Sequence, residues 1–221
     1  MCGRFTLTLE ADDLEEAFDA SAPRDWAPRY NIAPTQPVAV IANTTTQRKI
    51  EMFKWGLIPG WATDPKIGSR MINARAETVV EKPSFRSAVK KRRCLVLADG
   101  FYEWKKDGKS KIPTYVQLKG GKPFAFAGLW EVWKSSDKKE TIKSCTILTT
   151  EPNALMSAIH DRMPIILPPK AWEAWLSPDE LPAEELPRLL KPFPSSQMKA
   201  VAVSTLVNSV AFDSPECIVP A

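Results

Sequence analysis

Apolar positions in the first third of the chain come in short, interrupted runs. Residues 3–8 read as extended. In residues 9–20, Leu14, Ala17 and Phe18 recur at helical spacing on an acidic background, which predicts a short amphipathic helix. Pro23, Pro28 and Pro34 predict an irregular loop across 21–36. PVAVIA (37–42) and KIEMFKW (49–55) flank the polar stretch NTTTQR, the pattern of a hairpin. GLIPGWATDPKIGS (56–69) breaks regular structure again, and 83–91 reads as a short helix.

From residue 93 the pattern is β. RCLVLA (93–98) is a continuous apolar run, as a buried strand requires, and GFYEWKK resumes after Asp99-Gly100. IPTYVQL, PFAFAGLWEVWK and ETIKSCTILTT follow, divided by KDGKSK, KGGK and SSDKK, polar stretches of hairpin-turn type. Residues 152–158 and 169–176 read as short helices, 178–191 as an acidic, proline-interrupted helical stretch, and KAVAVS (199–204) as a last core strand. Strands fill the middle and helices flank them. The fold class expected is α+β: a single domain with a mostly antiparallel sheet curled into a barrel-like core and short helices around it. No repeat, low-complexity tract or linker divides the chain.

Composition narrows the chemistry more than the fold. With 44% hydrophobic and 25% charged residues, the 221-residue chain has enough material for a core without staples. Twenty prolines against nine glycines point to rigid loops. The four cysteines (2, 94, 145, 217) are scattered, and His160 is the single histidine, so no standard zinc set is expected and no metal or cofactor is called for. No run of about 18 apolar residues exists and residues 1–10 hold no signal-type apolar region, so no membrane association is expected. A reducing compartment follows: cytoplasmic, at the nucleoid in a bacterium, or nuclear in a eukaryote. A net charge of +4 permits binding to a polyanion without requiring it.

Several residues carry candidate chemistry. Removal of Met1 leaves Cys2 as the first residue, with an α-amine and a thiol two carbons apart. An α-amine titrates near 7.7–8.0, so a useful fraction is neutral and nucleophilic at pH 7. It forms an imine with an aldehyde, and the thiol then closes a five-membered thiazolidine. On Met-Cys alone the plainer reading is a small buried hydrophobe. His160, in IHDRMP, is suited to moving protons, against a plainer reading as a structural histidine. Alternation in DGFYEW puts Glu103 on the face of Phe101, where burial would raise its pKa, against a salt-bridged strand glutamate. Asn73, Arg75 and Glu77 follow at strand spacing in INARAET. Arg4, Arg29, Arg70, Arg75 and Arg162 are candidate phosphate ligands, and Trp55, Trp61, Tyr102 and Trp104 candidate stacking surfaces. The run KKRR (90–93) reads better as a solvated turn, and most tryptophans as core.

MCGRF, RYNIAPTQ, WGLIPGW, INARAET, RRCLVLADGFYEW, FAGLWE and IHDRMP occur in the order seen in the SRAP (SOS-response-associated peptidase) family of abasic-site processing proteins, which this chain resembles from residue 2 to about 208, where VNSV is similar to the closing motif. The resemblance implies a domain over 2–208, with 209–221 as a tail closing on it, acting as a monomer. It implies that single-stranded DNA containing an abasic site is bound and trapped by Cys2 as a thiazolidine crosslink that shields the lesion. Asn73 would position the sugar and the reacting end. Glu103 would be the acid/base for imine formation, and His160 would assist sugar opening or proton transfer. Arg4, Arg75 and Arg162 would hold phosphates, with Trp61 against a base. Ala62 follows Trp61 where bacterial members often have a second aromatic residue, and Met163 follows Arg162 where some have an arginine. Lyase activity through the imine is compatible with this reading. Two others compete: a peptidase or amidase using Cys2 with His160 or Glu103, which predicts peptide turnover with a burst, and a noncatalytic single-strand binder, which predicts salt-reversible binding indifferent to the lesion.

Overall fold

The computed structural model describes residues 2–43, 48–182 and 184–221, and its core is built on strands. In chain order these are β1 (Phe5–Leu7), β2 (Arg29–Ile32), β3 (Pro37–Ala42), β4 (Ile50–Trp55), β5 (Asn73–Arg75), β6 (Arg93–Ala98), β7 (Gly100–Asp107), β8 (Ser110–Leu118), β9 (Phe124–Lys134), β10 (Thr141–Thr150), β11 (Met163–Pro164), β12 (Ile166–Leu167) and β13 (Met198–Ala202). The α-helices are α1 (Ala11–Phe18), α2 (Arg86–Lys91), α3 (Trp172–Leu176) and α4 (Leu186–Leu189).

Five strands close on themselves. β6 pairs with β3 and β9, β3 with β4, β4 with β10, and β10 with β9, so each has two neighbours and no open edge remains between them. All these pairings are antiparallel except β4–β10. β5 adds to β10 in parallel, β11 to β10 and β12 to β9 antiparallel. RCLVLA becomes β6, buried at every residue because neighbours cover both of its edges and both of its faces.

A second, antiparallel sheet runs β13-β8-β7-β1-β2. Aromatic rings join it to the barrel: Phe5 meets Trp55 and Phe126 edge-on, with centroids 5.1 and 5.7 Å apart, and Phe101 meets Phe126 at 6.1 Å. The chain passes from barrel to sheet at Asp99-Gly100. Thr6 Oγ1 donates to Asp99 Oδ1 at 2.5 Å, and the backbone and hydroxyl of Thr8 both donate to Oδ2 at 2.6 Å, which fixes β1 beside β7. A Cβ on Gly100 would lie 2.2 Å from the Tyr115 hydroxyl, so only glycine fits there.

The α+β barrel architecture agrees with the sequence pattern, and α1 buries Leu14 and Phe18 as its spacing predicts. Several details differ. The loop across 21–36 contains β2, which the proline count hid. KGGK is no hairpin turn, because β8 and β9 lie in different sheets. KAVAVS forms an edge strand with mostly exposed side chains instead of a core strand. Among the described residues the stretch 178–191 is α-helical only at α4, and 152–158 holds only a 3-10 turn at Met156–Ala158. Residues 44–47 of the expected β3–β4 hairpin turn lie outside the described residues. KKRR is not wholly a solvated turn. Arg93 is fully buried and donates to five carbonyls: Trp175 (2.8 Å), Val89 (3.2 Å), Ser177 (2.5 Å), Asp179 (2.9 Å) and Lys90. It satisfies the otherwise orphaned ends of α2 and α3.

Candidate active site

Four of the sequence candidates come from separate elements and meet at the barrel–sheet junction. Cys2 precedes β1 and is fully buried. Asn73 opens β5, and its Nδ2 donates to the Cys2 carbonyl at 2.7 Å. The Asn73 Oδ1 atom is buried and has no hydrogen-bond partner among the described residues. Glu103 projects from β7 and is 3% exposed. His160 follows the turn at Met156–Ala158, with Nε2 4.0 Å from Glu103 Oε2.

Burial sets the electrostatics. It raises the Glu103 carboxyl to about 7, with the charge of Asp161 adding to the effect. Burial pushes the Cys2 thiol up, the nearby Glu103 charge pushes it further, and a backbone hydrogen bond from Arg4 opposes both. The thiol therefore rests protonated. Burial also lowers His160, while Asp161 and the Arg162 backbone N–H oppose that shift. Arg162 N–H donates to His160 Nδ1 at 3.1 Å, and Asp161 Oδ1 lies 2.8 Å from the same nitrogen. The result is a neutral thiol, a carboxyl raised to about 7 and an imidazole held below its ordinary value.

The cations are placed differently from one another. Arg162 is clamped by Glu77, with Nη1 to Oε1 at 2.8 Å and Nη2 to Oε2 at 2.9 Å, and Nη2 also reaches the Thr149 carbonyl at 2.8 Å. The pair holds the Glu77 carboxyl below its ordinary value. Glu77 sits on a 3-10 turn just past β5, not on the strand face that its spacing from Asn73 indicated. Arg75 is exposed. Arg4 is half-buried, its Nη1 donating to Asn31 Oδ1 and to the Val207 carbonyl, both at 2.7 Å. Trp61 is 63% exposed on the loop after β4. That loop leaves the strand at Gly56 (φ 130°), where a Cβ would lie 2.5 Å from the Gly68 carbonyl, and it is pinned by Trp133 Nε1 donating to Ala62 O at 2.6 Å.

A cavity of about 360 Å³, lined by Ala76, Val80, Thr150, Leu186 and Leu190, abuts Glu77. A larger one, about 850 Å³, is lined by residues such as Asp19, Asn43 and Glu173 and shares no residue with the cluster. Among the described residues no three His, Cys, Asp or Glu side chains are grouped as metal ligands are. Sequence reasoning missed Asn31, Asp213, Asp99 and Thr149. Each is a polar residue in an apolar or loop setting, and only the fold reveals its partner.

The sequence model of the SOS response associated peptidase (SRAP) family matches residues 1–210. The chain belongs to the SRAP family. It is 48% identical to the abasic site processing protein YoqW of Bacillus subtilis, over 99% of both chains. The abasic site processing protein HMCES of Xenopus tropicalis is 31% identical, over 99% of this chain and 78% of its own length. The crystal structure of a protein from Bacteroides thetaiotaomicron superposes with a TM-score of 0.90 at 30% identity, over all of both chains. Within this SRAP chain each of four motifs contributes one member of the cluster: Cys2 from MCGRF, Asn73 from INARAET, Glu103 from DGFYEW and His160 from IHDRMP.

Proposed function

We propose that this SRAP protein senses abasic sites in single-stranded DNA and captures them covalently through Cys2 once Met1 is removed. The observation that carries the reading is the buried Cys2, gripped at its carbonyl by Asn73 and facing a carboxyl held near neutral pKa. The names of relatives that align along nearly the whole chain support the substrate class.

The proton inventory fits aldehyde capture. His160, neutral at pH 7, relays a proton from the sugar C1′ hydroxyl to the ring oxygen, which opens the sugar to its aldehyde. The Cys2 amine adds to that carbon. The carbinolamine hydroxyl leaves as water with a proton from Glu103, and an iminium remains. The Cys2 thiol adds to the iminium carbon while its proton returns to Glu103, closing the thiazolidine. One water is released and Glu103 ends as it began. A carboxyl of pKa about 7 is half-protonated at neutral pH, which suits a group that must both give and take. Ring closure removes the iminium before β-elimination can break the strand, so lyase activity is the leak in this scheme. Arg75, with Trp61 stacking, supplies the sequence-independent hold on the strand.

Peptidase chemistry is less well supported. Hydrolytic cysteines are activated by neighbours that lower the thiol pKa, whereas burial and Glu103 raise that of Cys2. The test is a denaturing gel of protein mixed with abasic or intact single strands. A band resistant to denaturation is expected with abasic strands alone and is lost in Cys2→Ala. An adduct that persists in Cys2→Ala, or turnover of peptides with a burst, would overturn the reading.

A further inference from the structure

Arg4 stands two residues from Cys2, and its main chain touches both halves of the reacting pair. Its backbone N–H opposes the rise of the Cys2 thiol pKa, and its carbonyl accepts from the Tyr102 N–H at 2.9 Å, one residue before Glu103. Its side chain runs the other way, into a knot of polar groups around the buried Asn31. Nη1 serves Asn31 Oδ1 and the Val207 carbonyl, and the guanidinium carbon lies 5.7 Å from the Trp104 ring centroid. Asn31 is fully buried, and its Nδ2 donates to the carbonyls of Ser209 (3.0 Å) and Phe212 (2.6 Å). The Asp213 carboxylate accepts from the Tyr30 N–H at 2.5 Å, the Asn31 N–H at 2.9 Å and Arg29 Nε. Trp104 Nε1 donates to Asn208 Oδ1 at 2.7 Å. The segment 207–213 is thus sewn to β2, and β2 through Asn31 to Arg4.

We infer that Arg4 is a positioning residue, held by the Asn31–Asp213 clasp, that sets the Cys2 thiol against Glu103, and that it is not a phosphate ligand. The inference rests on the capture chemistry assigned to this site above. Turning Nη1 outward to a phosphate would take the donor from Asn31 Oδ1, on a fully buried side chain, leave the Val207 carbonyl with only the Asn31 Nδ2 donor at 3.3 Å, and loosen the strand that carries the nucleophile. Both bonds leave one nitrogen, Nη1, whose two hydrogens lie fixed in the guanidinium plane; a lysine ammonium keeps the charge on a shorter side chain without that fixed direction.

The test uses the full chain with Met1 removed and three variants, Arg4→Lys, Arg4→Gln and Asp213→Asn, each checked for an unchanged melting temperature. Capture of glycolaldehyde, which has no phosphate, is followed by intact mass. Noncovalent binding to a single strand carrying a tetrahydrofuran abasic analogue is measured against salt. The expected result is a tenfold or greater fall in the rate of glycolaldehyde capture in all three, with the slope of log affinity against log salt unchanged. A phosphate ligand would instead lower that slope by about 0.7 in Arg4→Gln, leave Arg4→Lys near wild type and leave glycolaldehyde capture untouched; that pattern overturns the inference. If Asp213→Asn melts early, the contrast between Arg4→Lys and Arg4→Gln decides alone. Failure of the wild-type chain to trap abasic DNA would instead strike the capture reading itself.

Discussion

Buried on β7, the Glu103 carboxyl titrates near 7 against an ordinary 4.5, chiefly because of burial. The unfolded chain releases that proton from about pH 4.5 upward, while the folded chain holds it to about 7. Stability therefore falls across this window as pH rises, by about 3 kcal/mol in all. Glu103→Gln removes the penalty. It is expected to be more stable than wild type at pH 8 and no different below about pH 4.5, while its capture rate falls. Urea melts at the two pH values check this, and equal stabilities at pH 8 would contradict the burial argument. Residue types with distinctive chemistry stand out in the sequence as candidates: Cys2, Asn73, Glu103 and His160 lie in separate motifs, and the fold brings them to one junction. Arg93 does not stand out, because a charge in KKRR looks solvated until the fold surrounds it with carbonyls.

At the scale of elements, the site depends on the hand-over from β6 to β7. Gly100 permits it by letting the Tyr115 ring lie against the backbone, and the Tyr115 and Thr6 hydroxyls are hydrogen-bonded at 2.8 Å. Gly100→Ala forces that ring aside. It is expected to cost about 1–3 kcal/mol of stability, read in denaturant, and to slow capture because β1 and β7 separate. A neutral outcome would mean that the ring has room to move. Apolar runs such as β6, β9 and β10 announced themselves, since full burial leaves a continuous hydrophobic signature. Partner choice did not. KGGK joins strands of different sheets, and nothing in four polar residues encodes which sheet comes next. β2 lay hidden among prolines because its polar Asn31 and Arg29 face a tail about 180 residues away.

The whole molecule joins a closed barrel, whose strands form a rigid frame, to a smaller sheet that carries the N-terminal strand and the acid/base strand. Its modest net charge of +4 limits the electrostatic share of DNA binding. Arg162 is committed to Glu77 and Arg4 to Asn31, which leaves Arg75 as the exposed cation of the site's own motifs. Arg75→Gln is expected to weaken binding to single strands of any sequence and to lower the salt slope by about 0.7. An unchanged slope would place the strand elsewhere. The central claim is that nitrogen and sulfur of Cys2 together close a ring on a sugar aldehyde. Intact-protein mass spectrometry after incubation with an abasic oligonucleotide, with and without borohydride, tests it most directly. The predicted product is protein lacking Met1, plus one strand, minus one water, formed equally without reductant; Cys2→Ser should survive denaturation only when borohydride traps its imine. A wild-type adduct that requires borohydride, or no adduct on protein that has lost Met1, would contradict the account.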